Sequence, residues 1–416
     1  MLSTSLVVSC VVFLLIAVRQ RLPRFVRIWH IMTAGAAVLL ILGEISPLAA
    51  VKAVDWNVIV YLFGVFAVGS ALYDSGISHA IGRRIIDTRR PARTFLIFIL
   101  ATALCSAVLT NDAAAVIGTP IALMLARALN RPPVTLLIAL CATVTVGSMV
   151  SPVGNPQNIL IATAGHFDNP VGTFALWLAV PTLASLAFVF VWLGRALRRG
   201  PSATGSTIVD LPPPHSEPRT WPAYLGTALL VVLVGADSLL ERSASGLSVP
   251  FGVASLIGCA PIFLFSNRRL QTFREVDWPT LAFFAAMFVV TGSLLQSGSL
   301  QALLGSLQDR LDEPPVTAAI SFWASQLFSN VPVVDIYLKL LPNGEVPNLM
   351  MLAGISTLAG NLFIISAASN VIVVQQSEKF GQAPFTFWQF SLAVLPITVV
   401  SVGLTYGWIS WRAGGA

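Results

Sequence analysis

Apolar runs about 20 residues long, the length that crosses a bilayer, recur along the chain near 2–18, 28–46, 54–76, 133–165, 170–194, 221–240, 246–265, 277–298, 347–376 and 385–411. Two further apolar regions, 94–128 and 315–340, differ in having a polar middle, Leu109-Thr110-Asn111-Asp112 in the first and Phe328-Ser329-Asn330-Val331-Pro332 in the second. A polar turn cannot face lipid, because each unmet backbone or amide group costs several kcal/mol there. Both regions are therefore predicted to be re-entrant helical hairpins buried in protein.

The halves on either side of the polar stretch 200–220 resemble each other. Val54-Asp55-Trp56 and Val276-Asp277-Trp278 open similar segments, and Phe66, Val68, Leu72, Ser75 and Gly76 recur in the second half at the same offset of 222. Asn111 falls near Asn330 at a similar offset. The pattern predicts an all-α polytopic membrane protein with about ten transmembrane helices and two re-entrant hairpins. Repeat 1–199 holds hairpin 94–128 and broken helix 133–165. A cytoplasmic linker at 200–220 leads to repeat 221–416, with hairpin 315–340 and broken helix 347–376.

Composition agrees with a membrane protein: 56% of residues are hydrophobic and 10% charged, against about 25% charged in soluble domains. Of the 24 basic residues, all but Lys52, Lys339 and Lys379 are arginine, and they gather in loops between apolar runs. With Met1 outside, all but Lys52, Arg242, Arg310, Lys339 and Arg412 fall on the cytoplasmic side, as the positive-inside rule requires. In that topology the first VDW span runs inward and its counterpart outward, so the repeats are inverted. Secondary transporters are built this way, with substrate bound near the midplane between repeats. The expected location is the inner (plasma) membrane of a prokaryote. The basic balance belongs to membrane orientation, and no basic stripe with interleaved aromatics suggests nucleic acid. Cys10, Cys105, Cys141 and Cys259 lie far apart with no metal-ligand spacing. No P-loop sequence is present, and neither a cofactor nor enzymatic activity is expected.

Each half carries two polar islands inside apolar sequence. Thr110-Asn111-Asp112 and the stretch Ser151 to Asn158 lie in the first, Ser329-Asn330 and the stretch Ser366 to Asn370 in the second. Ser151-Pro152, Gly154 and Pro156 break one span, and Gly360-Asn361 with the small residues 366–369 break the other. Broken helices and hairpin tips offer free backbone ends and amides to a solute, although polar residues also glue membrane helices together. The candidate substrate-binding residues are Thr110, Asn111, Asp112, Gly154, Asn155, Asn158, Ser329, Asn330, Ser369 and Asn370. Asp112 is the sharpest of them. An ionisable group at membrane depth needs a partner or a task, and proton or cation coupling is such a task. Capping of the tip is the alternative. Asp335 is a second candidate for proton coupling, or else the partner of Lys339 one turn on.

These motifs, Thr110-Asn111-Asp112, Gly154-Asn155-Pro156-Gln157-Asn158, Ser329-Asn330-Val331-Pro332 and Ser366-Ala367-Ala368-Ser369-Asn370-Val371-Ile372-Val373, resemble the ion transporter superfamily. Within it they most resemble the arsenite/antimonite permease branch, the arsenical pump membrane proteins, which is similar to bacterial sodium/proton antiporters and sodium–dicarboxylate symporters. The dicarboxylate branch places Ser-Asn-Thr at both tips. Asp112 in place of a hydroxyl disfavours an anionic substrate and suits a neutral one exchanged for protons. The resemblance implies efflux of arsenite and antimonite as trihydroxides by proton antiport, with a soluble ATPase subunit as partner in some members. A sodium-coupled antiporter or organic-anion symporter on the same fold is the alternative, and a channel or membrane scaffold a third.

Overall fold

The computed structural model describes residues 3–17, 23, 26–165, 167–200, 219–240, 249–299, 310–328, 330–341, 344–382 and 385–414. Arg19, Arg21, Arg24, nearly all of the 200–220 linker and Ser329 lie outside them. All regular elements among the described residues are helical.

The first half opens with α1 (Thr4–Ala17) and α2 (Ile28–Ile41), then the short α3 (Pro47–Ala53), α4 (Trp56–Asp74) and α5 (Ile77–Ile85). It continues through α6 (Pro91–Val108), α7 (Asn111–Ala128), α8 (Pro133–Ser148), α9 (Pro156–Ala164) and α10 (Pro170–Arg199). The second half follows a matching order: α11 (Trp221–Leu240), α12 (Phe251–Phe265), α13 (Arg269–Glu275), α14 (Trp278–Gln296), α15 (Pro314–Phe328), α16 (Asn330–Leu340), α17 (Val346–Ala359), α18 (Ala368–Lys379) and α19 (Phe387–Gly414). The VDW motifs start equivalent helices for the same reason. The side chain of Asp55 accepts from Val58 N at 3.1 Å, and that of Asp277 from Thr280 N at 3.1 Å, so each aspartate caps the helix that its tryptophan begins.

Five helices, α4, α6, α10, α14 and α19, are long and apolar enough to cross a membrane, and six shorter apolar helices accompany them. The chain is a multi-pass membrane protein. Region 94–128 is two 18-residue helices, α6 and α7, meeting at a buried turn. Each arm rises about 27 Å, close to the roughly 24 Å of the 16-residue α8 beside it. The turn and the end of α8 therefore meet at one depth. Segments 133–165 and 347–376 are each interrupted, at 149–155 and 360–367. Pro156 occupies the first turn of α9, where its missing N–H costs nothing.

The two halves interlock. Helix α12 packs along α4, and reciprocally α2 packs along α14. Likewise α13 touches α4 while α3 touches α14, and α7 packs on α18 while α9 packs on α16. Gly64 makes the α4–α12 contact possible, since a Cβ there would stand 2.6 Å from the backbone oxygen of Ser255. Hairpin arms α6 and α15 lie on α8 and α17, and α10 packs against α19.

Candidate functional site

At the first hairpin tip, Thr110 accepts from Ala113 N at 3.2 Å and so caps α7. The next residue ties the tip to the first helix break, Asn111 N donating to Gly154 O at 2.8 Å. Its side-chain amide donates across to the second break, at Ser369 Oγ, at 3.5 Å. The first break reaches over in return. Asn155 Nδ2 donates to Ser148 Oγ at 3.0 Å and to Thr357 Oγ1 at 3.1 Å, and Gln157 Nε2 donates to the same threonine at 3.4 Å. The second tip lies against the second break, because a Cβ on Gly360 would stand 2.8 Å from Asn330 Nδ2.

All four islands contribute to one cavity of about 190 Å³, through Asn111 and Asp112, Pro156 and Gln157, Asn330, and Ser366 to Ala368. Arg27, Asp277, Thr280 and Gln375 supply its other polar side chains, with Trp29, Phe283 and Phe284 among the apolar ones. Asn111, Asp112 and Asn330 are nearly fully buried, yet Asn111 Oδ1, Asp112 Oδ1 and Asn330 Oδ1 have no hydrogen-bond donor among the described residues. Three residues that line the cavity thus each hold a buried acceptor that no described group meets. Asp277 stands near enough to Asp112 for the two charges to act on each other.

Other sequence-predicted residues stand behind this wall. Asn158 Nδ2 donates to the carbonyls of Ser148 (3.3 Å), Met149 (3.4 Å) and Ser151 (2.9 Å), the orphan acceptors at the end of α8. Asn370 Nδ2 does the same in the second repeat, to Gly360 O at 2.9 Å and Phe363 O at 3.4 Å. These amides are consumed in holding the breaks open, and neither lines the cavity. Thr110, Gly154, Asn155 and Ser369 likewise support the lining residues rather than join them. Ser329 lies outside the described residues. Asp335 is buried elsewhere, accepting from Thr291 Oγ1 at 2.6 Å and paired with Lys339 Nζ at 2.8 Å. Of the two candidate coupling aspartates, only Asp112 faces the cavity.

Sequence reasoning passed over Asp277, Thr280, Gln375 and Arg27. Asp277 marks the repeat in the sequence, but α14 carries it to the site by packing across the repeats. No cysteine lines the cavity. A variant with Cys10, Cys105, Cys141 and Cys259 all replaced by serine or alanine is expected to keep the parent's transport in vesicles. Loss of transport in a membrane-inserted variant would place a thiol in the solute's path.

Residues 11–345 match the model of the citrate transporter family, CitMHS. The chain belongs to that family. It is a secondary transporter, and not an enzyme. The inner membrane protein YbiR of Escherichia coli is 28% identical over 353 residues, covering 85% of this citrate transporter family member and 87% of YbiR. The silicon efflux transporter LSI3 of rice, Oryza sativa, is 24% identical over 438 residues, covering 88% of this chain and 89% of that protein. The YdaH transporter of Alcanivorax borkumensis superposes with a TM-score of 0.57 at 16% identity, covering 99% of this chain and 98% of YdaH. At that identity the likeness is one of fold.

Proposed function

We propose that this transporter exports a small neutral polyhydroxylated metalloid, arsenite and antimonite as the trihydroxides, in exchange for protons. Repeats 1–199 and 221–416 alternate access to the cavity between them, with Met1 outside and the arginine-rich loops in the cytoplasm. The observation that carries the reading is the set of unpartnered buried acceptors, Asn111 Oδ1, Asp112 Oδ1 and Asn330 Oδ1. A trihydroxide brings O–H donors to such acceptors, and its oxygens accept from the amides beside them. An ionised carboxylate brings no donor, and citrate has a single hydroxyl to offer three acceptors, each of which costs about 1–3 kcal/mol if left unmet. The carboxylates of Asp112 and Asp277 also repel an anion, and either is able to carry the exchanged proton. Silicon efflux by the rice relative fits a hydroxylated metalloid cargo.

A second reading, a sodium-coupled organic-anion carrier, draws on Arg27 in the cavity wall and on the family's description. One experiment separates the two. In inside-out vesicles with an acidic lumen, labelled arsenite is expected to accumulate without sodium, while labelled citrate stays at background. Sodium-dependent citrate uptake with no arsenite uptake would overturn the proposal.

A further inference from the structure

A second, larger cavity of about 640 Å³ opens at the other end of the first hairpin, well away from the transport site in the fold. The start of α6, the end of α7 and the end of α10 form it, and its wall carries Arg90, Arg93, Arg131 and Arg198. Among the described residues no carboxylate lines it and none of these arginines is ion-paired. Arg131 reaches the end of α10, donating to Gly200 O and, at 3.3 Å, to Arg198 O, which fixes one wall.

The backbone adds to this positive character. Helix α6 begins with Arg90 as a cap that makes no side-chain bond, followed by Pro91, and its first turn has no acidic residue. The N–H groups of Ala92 and Arg93, which line the cavity, are among the orphan donors that favour an anion at a helix N-terminus. Deeper in, the wall turns apolar: Phe95 and Phe190 stack at 5.9 Å, and Gly194 leaves room beside them. Beyond Phe190, α10 turns exposed Val191 and Trp192 outward, at 41% and 38%. The cavity therefore has a cationic mouth and an apolar floor that lies beside the exposed apolar residues of α10.

We propose that this cavity binds one anionic phospholipid, its phosphate held by Arg90, Arg93 and Arg198 and an acyl chain laid over Phe190 and Gly194. Basic pockets between transmembrane helices recognise anionic headgroups in this way. A soluble anion uses only the mouth, whereas the apolar floor is matched by a lipid.

The test uses the full-length protein, purified in detergent and depleted of lipid. Phosphatidylglycerol is expected to raise its unfolding temperature and to remain bound in native mass spectrometry, while phosphatidylcholine does neither. The variant R90Q/R93Q/R198Q should bind phosphatidylglycerol about 100-fold more weakly, at roughly a factor of five per arginine. R83Q/R84Q, which removes two arginines of α5 that lie outside the cavity, should bind as the parent does. A Cβ on Gly194 makes only ordinary contacts, 3.6 Å from Phe95, so Gly194→Leu is a second variant that leaves the charges intact, its folding checked by its unfolding temperature without lipid. It fills the floor and should also lose the lipid. Equal weakening by R83Q/R84Q, unchanged binding in both cavity variants, or stabilisation by inorganic phosphate to the same extent as by phosphatidylglycerol would each overturn the proposal.

Discussion

Asp112→Asn is expected to carry solute downhill but not to concentrate it. The carboxyl lies at a buried tip, belongs to the cavity lining and has no donor to Oδ1 among the described residues. An asparagine keeps the shape and that acceptor but cannot take up or release a proton. On the proposed cargo and coupling, binding of a neutral trihydroxide should therefore survive, and coupling should not. With one proton exchanged per solute, an imposed gradient of about 1 pH unit sustains roughly tenfold accumulation in the parent. The variant should level off near a ratio of about one under the same gradient, with counterflow exchange retained. Asp112→Ala should damage both activities, because it also removes the acceptor. Full accumulation by the asparagine variant would transfer the proton to Asp277, the other carboxylate of the cavity.

Gly154→Ala should abolish transport and lower stability by about 1–3 kcal/mol, the cost of forcing atoms into a packed site. A Cβ there would stand 2.2 Å from the carbonyl oxygen of Ser148 and 2.8 Å from its Cα, and backbone has no rotamer with which to yield. Gly154 O also receives the Asn111 amide, so moving the break moves the tip. Gly403→Ala is the control, with nothing within 4 Å of its new methyl group. Thermal unfolding in detergent and vesicle uptake measure both effects. A Gly154→Ala protein with the parent's unfolding temperature and uptake would show that the break is not the tight junction described here.

The sequence made the spans, the repeat and the polar islands legible because each is a local pattern: an apolar run, a recurring VDW, a break in hydropathy. It did not reveal which face of an island meets the solute. Gln157 and Asn158 are neighbours on α9, yet one lines the cavity and the other clamps the end of α8. Only the direction of the helix after the break separates them. The partner of Asp335 was readable, since Lys339 sits one helical turn away. The place of Asp277 was not, because it depends on which repeat α14 packs against, and that is set by contacts far apart in the chain. Helix ends need not coincide with the apolar runs: α4 begins at Trp56 on the Asp55 cap, and α10 runs past its apolar stretch to Arg199.

The reciprocal seating of α12 on α4 and of α2 on α14 bears on how the protein is made. Helix α4 has the most buried window of the five long spans, 61%, and much of that cover comes from a helix the ribosome has not yet synthesised when α4 enters the bilayer. Through that interval the nascent first repeat must be tolerated by lipid or shielded by the insertion machinery. Its final packing waits until residue 265 has emerged. A gene truncated within the linker should therefore yield a fragment that is inserted but degraded, and co-expression of the missing half should rescue it.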